Sequence, residues 1–173
     1  MKEYIEQNKE RFYEELFSIL RIPSVSAKPE HKADMRRCAQ RLVELLLEAG
    51  ADEACVSEST GNPVVFGSKT IDPAARTVLV YGHYDVQPAE PFEKWNTDPF
   101  EPEIHDGAIW CRGANDDKGQ LFMHIKAFEF LLRSGRLRHN VKFMFEGEEE
   151  IGSPSLPGPS TSRNTRNSSV CAH

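Results

Sequence analysis

Apolar positions near the start of the chain recur at helical spacing: Ile5, Phe12, Leu16 and Ile19 with Leu20 fall three, four and seven apart. They predict a helix from Lys2 to about Leu20 that Pro23 stops. A second stripe, Met35, Cys38, Leu42, Leu45 or Leu46 and Ala49, predicts a helix from about His31 to Ala49, with Gly50 as its C-cap. The pattern then changes. Pro63 to Gly67 (PVVFG) and Thr77 to Gly82 (TVLVYG) are short, β-branched apolar runs bounded by turn residues, as buried strands are. Two further strands are predicted at Ala108 to Cys111, after the turn His105-Asp106-Gly107, and at Val141 to Glu146. Between them a helix from about Asp117 to Arg133 carries Leu121, Ile125, Phe128 and Leu132 on one side. Strands alternating with helices predict a layered α/β domain with a largely parallel sheet and helices packed on it.

Composition changes this picture at one place. Of 173 residues, 39% are hydrophobic and 28% charged, the balance of one globular domain with a sizeable core. The 27 acidic residues all precede Pro154, whereas Pro154 to His173 holds three Pro, five Ser, two Arg and no acid. Such a tail has little apolar surface to offset its ordering entropy, so the sequence predicts a domain over 1–156 and a disordered tail over 157–173. A net charge of −6 argues against nucleic acid or an anionic membrane as partner and favours a cation. The N-terminus is polar, and no run approaches the length needed to span a bilayer, which predicts a cytoplasmic protein. Cys38, Cys55, Cys111 and Cys171 form no C-x-x-C pair and read as reduced. Asn167-Ser168-Ser169 fits a glycosylation acceptor, to which the cytoplasmic reading gives no role.

Three segments carry candidate chemistry. In the first, the strand ending at Gly82 runs into His83-Tyr84-Asp85, so His83 and Asp85 share a face beyond the strand's C-terminal end, where α/β sheets bind ligands. A neutral imidazole binds Zn²⁺, and a carboxylate accepting its other N–H orients it; the bland reading is a histidine bonded at a turn. In the second, Arg112 to Gly119 (RGANDDKG), Asp116 or Asp117 suits a helix N-cap, yet two adjacent aspartates exceed what a cap requires, and one could bridge two cations. The third, Glu146 to Ser153 (EGEEEIGS), follows a buried-looking strand, so one or more of Glu148 to Glu150 is expected to point inward rather than all facing solvent. Three strand ends thus deliver an imidazole and carboxylates to one edge of one sheet. That is the donor set of a hydrolytic metal site, in which one glutamate binds metal and its neighbour moves a proton. There is no G-x-S-x-G, P-loop or H-E-x-x-H. His31, His105, His124 and His139 read as surface or turn residues, Trp95 and Trp110 as packing anchors, and Cys111 as a small core residue.

GHYDVQP, RGANDDKG and EGEEEIGS, in this order, resemble three signatures of the co-catalytic zinc peptidases, the family of cytosolic nonspecific dipeptidase, carnosinase, acetylornithine deacetylase and succinyl-diaminopimelate desuccinylase. The likeness covers roughly 1–156 and is greatest to the dipeptidase branch. It implies a three-layer α/β/α catalytic domain with a largely parallel mixed sheet, and a metallopeptidase hydrolysing a peptide or N-acyl amide bond by metal-activated water. It implies two divalent ions, Zn²⁺ first, with Mn²⁺ or Co²⁺ as alternatives. By the same resemblance His83 is a metal ligand, Asp85 the acid supporting the site, Asp116 the bridging carboxylate, Glu149 the general base and Glu150 a ligand of the second ion. The implied substrate is a dipeptide or an N-acyl amino acid.

The family pattern continues with a further acidic ligand, a lid and dimerisation domain that makes the full-length proteins homodimers, and a distal histidine. Here the likeness ends near Leu156, so the chain reads as truncated, as a frameshift, alternative splice or premature stop would produce. It holds three of five expected protein ligands. The alternative is a catalytically inactive fragment that binds metal or a partner; within the enzyme class the alternative is an N-acyl-amino-acid deacylase.

Overall fold

The computed structural model of this chain describes residues 1–156 and Cys171. The expected disordered tail and the glycosylation acceptor lie, apart from Cys171, outside the described residues. Helix α1, Lys2–Leu20, buries Ile19 and Leu20, with Phe12 and Leu16 packed on the core. After a turn at Pro29–His31, α2 runs Lys32–Ala49 and buries Met35, Cys38, Leu42, Leu45, Leu46 and Ala49. Its C-cap Gly50 has φ +106, and a Cβ there would also lie 2.6 Å from Leu132, so only glycine closes the helix without strain. The expected strands are β2, Val64–Lys69; β3, Thr77–His83; β5, Ala108–Trp110; and β6, Asn140–Glu146, while the third helix is α3, Lys118–Arg133. Two strands were not foreseen: β1, Glu53–Ser57, and β4, Glu103–His105.

The main sheet is mixed, in the order β1-β2-β6-β3. Its parallel pair is β3 with β6, in register from Thr77 opposite Asn140 to His83 opposite Glu146. The chain between these two strands includes α3, the crossover that parallel strands require. At the other side β1 and β2, joined by a short connection, pair antiparallel. Along β6, Val141, Phe143 and Phe145 are buried in one cluster with α1, α2 and α3, whereas Lys142 and Met144 are half-buried on the opposite face. Of the three expected layers, the described residues form the sheet and the helical layer on one side of it.

Two expectations are corrected. Cys55 and Cys171, read from spacing as reduced, form a disulfide, a pairing across 116 residues that no local pattern reveals; Cys38 and Cys111 are free thiols, as expected. Trp110 is 53% exposed rather than a packing anchor, and lines a surface hollow with Trp95, Lys94 and His105. Its strand β5 pairs, among the described residues, only with β4 and so leaves the ring outside the core. Trp95 does anchor, donating its indole N–H to Ala89 O at 2.8 Å.

Strand β3 closes the described sheet on one side and exposes Val78, Leu79 (63%) and Tyr81. An apolar strand edge is a template for pairing with another chain, which a charge blunts. The chain is therefore expected to self-associate in the micromolar range, and Leu79→Lys to shift its sedimentation toward monomer. A parent that sediments as a monodisperse monomer at every concentration tested would contradict this.

Candidate metal centre

The parallel register of β3 and β6 places their C-terminal ends side by side, so the segments leaving them, 83–86 and 147–150, emerge together. Asp85 joins the two. Its fully buried carboxylate accepts the backbone N–H of Glu149 at 3.2 Å and of Glu150 at 3.0 Å, and the Ser26 hydroxyl at 2.6 Å. Asp85 also orients His83, whose Nδ1 lies 3.1 Å from the Asp85 carbonyl and 3.4 Å from its Oδ1. Nε2 is thereby turned outward, 3.1 Å from Asp116 Oδ1 and 3.7 Å from Glu149 Oε2.

Asp116 reaches this point by a route that corrects the expected one. The strand before it, β5, pairs with β4 in a separate two-stranded sheet, so three strand ends of one sheet do not meet here. The loop after β5 instead swings Asp116 over β3. It is held there by Asp117, whose Oδ2 accepts the His83 backbone N–H at 3.1 Å. Asp117 occupies the N-cap position of α3 but makes no side-chain cap bond, because its carboxylate is spent on β3. Gly82 permits the approach: a Cβ there would lie 2.9 Å from Asp117 Oδ2. The Asp116–Asp117 peptide is cis.

His83, Asp116 and Glu150 each offer a donor atom within 4.8 Å of the other two. His83 is buried, Glu150 half-buried and Asp116 exposed, so the group opens to solvent on one side. The Glu150 carboxylate is held by Gln87, which donates from Nε2 at 2.8 Å. Glu149, 47% exposed, stands nearer the open side. Glu148 does not join them: it is buried and accepts backbone N–H groups of Asn62 and Ser155, each at 3.0 Å. Burial pulls the His83 imidazolium pKa down, but the hydrogen bonds and charge of Asp85, with Asp117 nearby, outweigh it and lift the pKa to about 9. The charge on His83 thus answers the surrounding carboxylates, and a divalent cation would take over that role as the imidazole loses its proton. One imidazole and carboxylates, without thiolate, fit such an ion.

The profile of the family described as Peptidase family M20/M25/M40 matches residues 79–165, which include all three segments. The chain belongs to this family. Among relatives of this M20 chain, the probable di- and tripeptidase DUG2 of Saccharomyces cerevisiae is 35% identical over 161 residues, covering 86% of this chain and 18% of DUG2. The cysteinylglycine-S-conjugate dipeptidase of Corynebacterium striatum is 33% identical, covering 84% of this chain and 32% of that protein. The crystal structure of human carnosine dipeptidase 1 superposes with a TM-score of 0.80 at 31% identity, covering 89% of this chain and 35% of that one. The M20 chain thus spans about a third or less of the length of these relatives.

Its structure brings His83, Asp116, Glu149 and Glu150 together, with Asp85 beneath them. Sequence reasoning missed Ser26, which lies in an unremarked Ser-Val-Ser turn and meets Asp85 only through the fold, and left open what Asp117 holds. His105 and His124 are exposed and His31 pairs with Asp34, all apart from the site. Cys111, expected in the core, is half-buried instead; burial pushes its thiol up to about 11 and it donates to Pro99 O at 3.2 Å, which does not suit a nucleophile.

Proposed function

We propose that this chain carries a divalent-metal hydrolase centre that cleaves dipeptides. The observation that carries the proposal is the convergence of His83, Asp116 and Glu150 donors within 4.8 Å, beside a glutamate, Glu149, not needed to complete that group. In this reading His83 would hold one ion, Glu150 a second and Asp116 would serve both; Zn²⁺ suits the donors, with Mn²⁺ or Co²⁺ as alternatives. Bound ions of this kind supply Lewis acidity to a carbonyl oxygen and lower the pKa of water toward about 7. The chain's own residues do the rest. Asp85 fixes the His83 ring through Nδ1, and its bonds to the amides of Glu149 and Glu150 hold the glutamate turn in register with β3. Glu149, on the open side, takes a proton from attacking water and returns it to the leaving amine.

The printed names of the relatives, dipeptidases and a di- and tripeptidase, support a dipeptide over an N-acyl amino acid. The test is hydrolysis by the metal-stripped chain, reloaded with Zn²⁺ or Mn²⁺, of dipeptides and of N-acetyl amino acids in parallel. Dipeptide turnover that a chelator removes and metal restores is the expected result. Turnover confined to the N-acetyl series would reassign the substrate, and a folded, metal-loaded chain without turnover would leave binding alone.

A further inference from the structure

Lys118, the first residue of α3, is fully buried, and among the described residues its ammonium pairs with no carboxylate. Nζ donates instead to two backbone carbonyls, Ile19 O at 3.0 Å and Ile22 O at 2.6 Å. A buried charge is costly, and an apolar side chain would fill this space with less penalty, so a structural filler does not account for it. Ile19 is in the last turn of α1 and Ile22 two residues past its end, where the helix dipole favours a cation.

What the bond joins explains its use. On one side, two residues before Lys118, is Asp116, and Asp117 between them holds the His83 amide. On the other side is the connection from α1 to α2. That same connection grips the other half of the centre: the Ser24 hydroxyl donates to Tyr84 O at 2.7 Å, Ser24 O accepts the Val86 N–H at 2.9 Å, and Ser26 donates to Asp85. Two of the three donor segments, 83–86 and 116–118, therefore hang from one short stretch of chain between Ile19 and Ser26.

We infer that Lys118 is a positioning residue of the metal centre: through the carbonyls of Ile19 and Ile22 it sets the placement of Asp116 against His83. The inference rests on the metal reading proposed above, and its test separates the two. Lys118→Met removes the ammonium at similar length; Ile125→Ala, in the buried face of the same helix, is the control for lost stability without loss of this bond. Two quantities are read: the Zn²⁺ Kd by competition with a chromophoric chelator, and hydrogen exchange of the His83 amide in metal-free protein.

Lys118→Met is expected to raise the Kd by about tenfold or more, the size of a lost supporting contact. It is also expected to speed His83 exchange relative to the rest of β3, while Ile125→Ala does neither. Parent-like Kd and His83 protection in Lys118→Met would overturn the inference, as would equal effects in Ile125→Ala. If the parent itself binds no Zn²⁺, the metal reading fails and the amide readout alone decides the positioning. Should Lys118→Met not fold, Ser24→Ala loosens the same connection by one hydroxyl and is expected to shift both quantities in the same direction; no shift in either would overturn the inference.

Discussion

If the chain is the metal-dependent dipeptidase proposed, Glu149→Gln is expected to lower turnover by about 10²–10⁴-fold, the usual contribution of a positioned general base, and to leave Zn²⁺ affinity within a few-fold of the parent. Glu150→Gln does the reverse at the first step: it weakens Zn²⁺ by at least the roughly 10–100-fold that loss of an outer partner costs, and turnover falls with occupancy. The two glutamates are neighbours in sequence, so the contrast comes from their surroundings. The Glu150 carboxylate belongs to the group of three donors and is fixed by Gln87, as a ligand should be. Glu149 is 47% exposed, with an oxygen 3.7 Å from His83 Nε2, and so is free to face water and substrate. Initial rates at saturating metal, paired with a chelator-competition Kd for each variant, check both halves. If Glu149→Gln lost the metal while Glu150→Gln kept it and lost turnover, the two assignments would have to be exchanged.

The segments named in that prediction were legible because each follows a strand whose apolar run is unmistakable. TVLVYG ends at the turn to His83, and VKFMFE ends at the glutamates; a parallel pair brings two such ends together whatever the rest of the fold does. The stripes of α1, α2 and α3 were equally plain, since each buries one face. What escaped was non-local. Glu53–Ser57 has only half-buried residues and no apolar run, and becomes β1 only by pairing with β2. The separation of β4 and β5 from the main sheet depends on which backbone is free to pair, which composition does not encode. The roles of Ser26, Asp117 and Lys118 are set by contacts across 59, 34 and up to 99 residues. Asp117 shows the difficulty plainly: at a helix start the local reading is a cap, and the tertiary bond to the His83 amide overrides it.

Acid is expected to loosen the same framework from the far side, at the contact between α1 and α3. Glu129, in α3, is fully buried and accepts Tyr4 OH at 2.8 Å, Arg11 at 2.6 Å and Lys126 at 2.7 Å, while Lys126 and Arg11 also pair with Glu15. Burial raises the Glu129 pKa, but the hydrogen bonds from Arg11, Lys126 and Tyr4 outweigh it and bring it from 4.5 to about 2. A folded-state value below the unfolded one means stability that is fully present above pH 4.5 and lost as pH falls toward 2. The loss from this one group is on the order of 3 kcal/mol, a large part of the 5–15 kcal/mol that holds a typical domain. Glu129→Gln removes the charge while Lys126 and Arg11 stay in place, so at pH 7 it is expected to cost about 3–5 kcal/mol. Toward pH 3 the cost should shrink, because the carboxyl of the unfolded parent is by then protonated and the folded state must give up that proton to keep its Glu129 charged. Urea unfolding of both proteins at pH 7 and pH 3 reads the difference; parallel losses in the two would show that Glu129 does not carry the acid response. The consequence reaches the metal centre, because the helix that Glu129 docks supplies at its other end the Ile19 carbonyl that Lys118 holds. An α1 that loosens in acid is therefore expected to weaken the hold of Lys118 on the Ile19 carbonyl, and with it the anchor of Asp116.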